Sequence, residues 1–104
     1  MATTNEYADY VMSLLSQLED IMLRKMMGEY LLYYKGKLFG GIYNNRFLVK
    51  ITPHSSSVLD REEIPYEGAK PMLMVESEDM EFVNGLVEGM YDELPEPKPK
   101  KKKS

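Results

Sequence analysis

The residue types of a nucleophilic site come together once in this chain, where His54, the single histidine, is followed by Ser55, Ser56, Ser57 and Asp60. A catalytic triad needs its members to converge in space beside an oxyanion hole, and adjacency along a loop does not supply that. The segment from Thr52 to about Asp60 or Glu62 therefore reads as a short helix or turn, with serine N-cap candidates and a surface or capping histidine. Glu62 and Glu63 are neighbouring carboxylates, which in solvent have no reason to divide into an acid and a base. A histidine metal site lacks a second histidine, and the absence of cysteine excludes disulfides, thiolate metal sites and cysteine nucleophiles together. Met22, Met26 and Met27 read as flexible core filler rather than soft-metal ligands. Gly40-Gly41 has neither the GxGxxG nor the GxxxxGKS spacing, so nucleotide binding is set aside. No catalytic, cofactor-binding or metal-binding residue is assigned, and the chain is read as non-enzymatic.

The net charge of −4 conceals an asymmetry. The last ten residues, PEPKPKKKKS, hold five lysines and one glutamate, which leaves eight basic and sixteen acidic residues, or −8, in residues 1–94. An acidic body does not suit a duplex-DNA binder, whose phosphate contacts need clustered Lys and Arg. Lys98, Lys100, Lys101, Lys102 and Lys103 could touch nucleic acid, but weakly, nonspecifically and in a salt-sensitive way. Residues 95–104 read as a disordered Lys/Pro-rich tail, and residues 1–94 as one domain with a single modest core. The start of the chain has neither a basic n-region nor an apolar h-region, and no apolar run approaches the ~18 residues of a membrane span. The expectation is a cytoplasmic protein with no membrane partner.

Positioning falls to the stretch from Arg24 to Ile51. Lys35-Gly36 and Asn44-Asn45 are two-residue breaks between runs rich in Tyr, Leu, Ile, Val and Phe, the mark of tight hairpins. They predict an antiparallel meander of strands at 29–34, 37–43 and 46–51. Strict alternation then gives a core face of Leu31, Tyr33, Leu38, Ile42, Phe47, Val49 and Ile51. The opposite face holds Tyr30, Leu32, Tyr34, Phe39, Tyr43 and Leu48, fringed by Lys37, Arg46 and Lys50. Such a greasy second face needs a cover, and two fit: a helix of this chain or another protein. Gly40-Gly41, inside the middle strand, implies a bulge or the close approach of a helix.

Around this meander, Thr3 and Glu6 form a capping-box pattern ahead of an amphipathic helix over 4–19. Residues 21–27 suit a first strand, 61–70 a linker, and 71–75 one more strand. Ser77 caps a second long helix with Val83, Leu86, Val87, Met90, Tyr91 and Leu94 on its apolar stripe. The predicted class is α+β: a three-stranded meander with one or two further strands and two long flanking helices.

Arg24, Met26-Met27-Gly28, Gly36 ahead of Phe39-Gly40-Gly41, and Leu48-Val49-Lys50 together resemble the N-terminal domain of the TfoX/Sxy family. Gly68-Ala69-Lys70-Pro71-Met72 and Met90-Tyr91 match short single-domain members, while Met27 stands where the family more usually has an aromatic residue. The resemblance covers nearly all of residues 3–94 and implies an antiparallel sheet with flanking helices, similar to secretion-chaperone-like folds, in a bacterial cytoplasmic protein. Longer members promote competence gene expression alongside the cyclic-AMP receptor protein and carry a second, C-terminal domain. No catalytic residue is implied.

Residues and resemblance together lead to a non-enzymatic protein-interaction module of regulatory kind. Its expected docking face is Tyr30, Leu32, Tyr34, Phe39, Tyr43 and Leu48, and its expected partner is a protein, with a second copy as the most economical choice. One alternative is a nucleic-acid-associated factor using the lysine tail. The other is a small-ligand binder or enzyme with a pocket near Arg24, Tyr34 and Tyr43.

Overall fold

Three tight turns set the architecture. Met27-Gly28, Lys35-Gly36 and Asn44-Asn45 all have positive φ at both residues, the backbone that matches the twist of a two-residue hairpin. They connect β1 (Ile21–Met26), β2 (Glu29–Tyr34), β3 (Lys37–Ile42) and β4 (Phe47–Val49) into an antiparallel meander. The computed structural model describes residues 3–95. After β4 come helix α2 (Pro53–Val58), the short strand β5 (Glu62–Glu63) and β6 (Met72–Met74). The six strands form one antiparallel sheet in the order β1-β2-β3-β4-β6-β5. Helix α1 (Asn5–Leu14) precedes the sheet, and α3 (Met80–Met90), extended by a 3₁₀ turn over Tyr91–Glu93, follows it. The fold is α+β, with a six-stranded sheet and three helices rather than two long ones.

Helix α1 is shorter than the predicted 4–19 and is capped by Thr4, whose side chain accepts from the Tyr7 N–H. Thr3 is instead part of the sheet edge: its N–H donates to the Gly28 carbonyl and its hydroxyl to Glu29. Beyond Leu14 the chain continues in i→i+3 turns, which keep Leu15 buried and carry Leu18 towards the core. Asp79, rather than Ser77, caps α3 by accepting from the Glu81 N–H. Thr52 and Ser55 form a reciprocal capping box at the start of α2.

The register of β3 with β4 follows the two-residue turn, with Ile42 opposite Phe47 and Gly40 opposite Val49. The register of β2 with β3 starts as predicted, Tyr34 opposite Lys37 and Tyr33 opposite Leu38, and then slips. Leu32, not Leu31, faces Gly40, and Tyr30, not Glu29, faces Ile42. Phe39 is the extra residue of a β-bulge, so Phe39 and Gly40 both oppose Leu32. A one-residue slip exchanges the faces of everything beyond it. As a result the helices cover Tyr30, Leu32, Tyr34 and Phe39 together with Ile42, Phe47, Val49 and Leu73. Ala8, Val11 and Leu14 of α1 and Val83, Leu86, Val87 and Met90 of α3 complete this core from the same side.

The predicted core face is thereby corrected in part. Ile42, Phe47 and Val49 are in the core, but Leu31, Tyr33 and Leu38 are half-exposed on the other side of the sheet and Ile51 is exposed. Met22, Met26 and Met27 are not core filler either: Met27, at the tip of a turn, is 96% exposed. Among the described residues no helix is long and apolar enough to cross a membrane.

Candidate functional site

All three helices are accounted for elsewhere: α1 and α3 pack on one side of the sheet, and α2 leans on α3. The other side, the outer face, carries Leu31, Tyr33, Leu38, Gly41, Tyr43, Leu48, Met72 and Met74 by strand alternation. Among the described residues, the segment between β5 and β6 is the one that crosses it. Tyr66 of that segment meets Tyr43 with ring centroids 5.9 Å apart, and a tight turn at Gly68 returns the chain, the Ala69 N–H donating to the Tyr66 carbonyl at 3.0 Å.

Arg46 holds the segment in place. Its guanidinium donates to Glu63 Oε1 at 3.0 Å, to the Pro65 carbonyl at 3.2 Å and to the Tyr43 carbonyl at 3.2 Å. One planar fork thus ties the β3–β4 hairpin to residues 63–65. Glu63 also accepts from Arg61 at 2.9 Å, and this bond, followed by the Arg46 pair, holds its carboxyl below the usual 4.5. Burial pushes the Tyr43 phenol up from 10.0, with Tyr66 adding to the effect. Two hollows flank the Tyr43–Tyr66 pair, and both residues line each of them. The first, about 630 Å³, is walled by Leu38, Ile51, Pro65 and Met72 and also by Lys50 and Lys70. The second, about 420 Å³, is walled by Met26, Met27, Leu31 and Glu29.

The residues predicted from sequence as a docking face divide differently. Tyr30, Leu32, Tyr34 and Phe39 are buried in the helix-covered core, because the bulge turns them inward. Tyr43 and Leu48 do lie on the outer face, though Tyr43 is largely covered and Leu48 is fully buried. The expected pocket of Arg24, Tyr34 and Tyr43 does not form, since Tyr34 sits on the helix side, edge-on to Tyr91 at 5.5 Å. Lys98 and Lys100–Lys103 lie outside the described residues. Lys37, expected at the fringe, is buried, and its Nζ donates to the Tyr91 carbonyl and lies 4.1 Å from the centre of the Tyr91 ring.

The His54 neighbourhood is structural. Its backbone N–H donates to Glu93 at 2.8 Å, and this bond lowers the Glu93 pKa from 4.5. The His54 ring rests where a Cβ on Gly89 would have to go. Ser55, Ser56 and Ser57 donate to the carbonyls of Lys50, Pro53 and His54, so the three hydroxyls satisfy backbone rather than converge on a reacting atom. Among the described residues no group of three His, Asp or Glu could hold a metal ion. Sequence reasoning missed Tyr66, Lys70 and the clasp by Arg46. The spacing of Arg46 and Glu63 along the chain contains no periodic signal; the aromatic Tyr66 between Pro65 and Gly68 was the one local hint.

No family model matches the chain, and no solved structure does. A protein of Spirochaeta aurantia, described as an uncharacterized 12.7 kDa protein in the trpE 5' region, is 32% identical over 108 residues, covering 100% of this chain and 94% of its own length. With that identity running end to end, the chain belongs to the same family as the Spirochaeta aurantia 12.7 kDa protein.

Proposed function

We propose that this chain is a non-enzymatic protein-interaction module, a bacterial cytoplasmic regulator of the TfoX/Sxy N-terminal type, that works through the outer face of its sheet. The observation that carries the reading is the side without a helix: half-exposed Leu31, Tyr33, Leu38, Met72 and Met74 lie on three strands, with exposed Met22, Met26, Ile51 and Tyr66 around them. A sheet face left to water ordinarily alternates to polar residues, and a contiguous apolar one marks a contact surface. The helix–meander–helix–hairpin–helix order is compatible with a secretion-chaperone-like arrangement. The hydroxyls of Thr52 and Ser55–Ser57 being engaged with the backbone of α2 and of the residues leading into it, and the Glu63 carboxylate with Arg46 and Arg61, supports a role without catalysis.

A photo-reactive phenylalanine analogue placed at Leu38 in the native host tests this directly, with the same analogue at the exposed Asp9 of α1 as comparison. Protein adducts are expected from position 38 and not from position 9. No adduct at 38, or equal adducts at both, overturns the reading. An adduct of twice the chain mass identifies the partner as a second copy.

A further inference from the structure

We infer that the trough made by the two hollows receives an extended peptide segment with carboxylates at one end and large apolar side chains at the other. The inference rests on the outer face being a docking surface and names what docks there. The hollows lie on either side of the Tyr43–Tyr66 ring pair, which lines both, so a segment filling the two would pass across that pair. Either volume alone, 630 or 420 Å³, is that of a small-ligand pocket. Taken together they suit a chain of several residues, which can lay alternate side chains into successive hollows.

Charge gives the track a direction. Lys50 and Lys70 line only the first hollow, and among the described residues neither takes part in an ion pair, whereas Arg46 and Arg61 are both tied to Glu63. In a body of net −8, two uncompensated cations at one end of an apolar trough are complementary to carboxylates. The second hollow has Met26, Met27 and Leu31 and a single charge, Glu29, which is already engaged with the Thr3 hydroxyl and the Asn44 N–H. Flexible, polarisable methionines there adapt to apolar side chains of different shape. The lysine-rich end of this same chain has the wrong sign for Lys50 and Lys70, so it is not the occupant.

The test uses the full chain and a fluorescent peptide of about eight residues, with Leu and Phe in its first half and Glu in its second. A Gln-for-Glu counterpart and a peptide of reversed order accompany it. Fluorescence anisotropy is expected to show saturable binding of the Glu peptide, weakened about tenfold or more by Glu→Gln in the peptide or by Lys50→Gln with Lys70→Gln in the protein. Amide shifts should cluster at Leu31, Leu38, Tyr43, Tyr66 and Met72, and an unchanged melting temperature certifies that the lysine variants are folded. Absence of saturation by about 1 mM, equal affinity for the Glu, Gln and reversed peptides, or shifts confined to the helices overturns the inference. So does phenylacetate alone reproducing the whole shift pattern, which would make the occupant a small anion. Adducts at position 38 combined with charge-blind peptide binding would leave the docking surface standing and remove only its acidic occupant.

Discussion

Arg46 reads from sequence as one of three cations fringing the meander, and in the structure it is the one that organises the outer face. The difference is long range: its acceptors, Glu63 and the Pro65 carbonyl, come from a segment that the sequence marks only as a linker. Removing it should release that segment while the core stays intact. Arg46→Ala is expected to cost about 1–2 kcal/mol, since the pair is partly exposed but made of several charge-assisted bonds. Urea unfolding measures the loss, and the exposure of Tyr66 to nitration by tetranitromethane should rise at the same time. Glu93 offers a pH prediction. Its folded pKa is lowered below 4.5, chiefly by the His54 N–H, with the Thr52 side chain adding to it. A lowered carboxyl contributes stability that is present above the unfolded value and is lost as pH falls through the folded one. Stability should therefore decline below about pH 4.5, and Glu93→Gln should flatten that acid limb in a series of melting temperatures.

Among the elements, the hairpins were legible outright, and the bulge only as one of two explanations for Gly40-Gly41. Lys35-Gly36 and Asn44-Asn45 announce their turn type locally, because few residues tolerate positive φ twice in succession. The bulge at Phe39-Gly40 is marked only by the adjoining glycine pair, which does not say which way the register moves. Both faces of β2 and β3 are apolar, so shifting the register by one residue gives an equally plausible pattern, and the inward and outward sets were exchanged over half of the meander. Gly40-Gly41 was the available clue, and its cause turns out to be a neighbouring strand rather than a helix. A Cβ on Gly40 would strike the Leu48 carbonyl oxygen, and one on Gly41 would lie 2.6 Å from the Tyr30 carbonyl oxygen and 2.7 Å from the Tyr43 ring. Gly41→Ala is accordingly expected to destabilise the protein by about 1–3 kcal/mol, the usual penalty for overpacking against unyielding atoms. Helix α3 contains the other element-scale feature. Buried Asn84 donates to the carbonyls of Leu14 and Met80, joining the end of α1 to α3, while its Oδ1 has no partner. Asn84→Leu would abandon the Leu14 carbonyl inside the protein, with an expected loss of about 1–3 kcal/mol in chemical denaturation.

Considered as a whole, the molecule is a two-layer α+β body whose sheet is covered by helices on one side and has a half-exposed, helix-free face on the other. Phe39 and Leu38 are neighbours in β3 with opposite fates. Phe39→Glu would place a charge in the core and abolish folding, whereas Leu38→Glu should leave the melting temperature within a few degrees of the parent and affect only what docks on the outer face. Circular dichroism of the two variants distinguishes these outcomes.

The three tight turns also bear on the order of assembly. The pairings that link β1 to β4 are all between immediate neighbours in sequence, so each loop closed on the way is short. Strand β6 must cross α2 and β5 before it can join β4, and α3 and α1 meet across most of the chain. The hairpins can form on the microsecond scale, while the last strand and the closing helix wait for distant contacts. Pulse-labelled hydrogen exchange during refolding should therefore protect the amides of Leu32, Tyr43 and Arg46 early and those of Met74 and Val75 late. On this route the inner face of the sheet is present before its helical cover is complete, and for that interval the nascent meander is greasy on both sides and in need of shelter from its own kind.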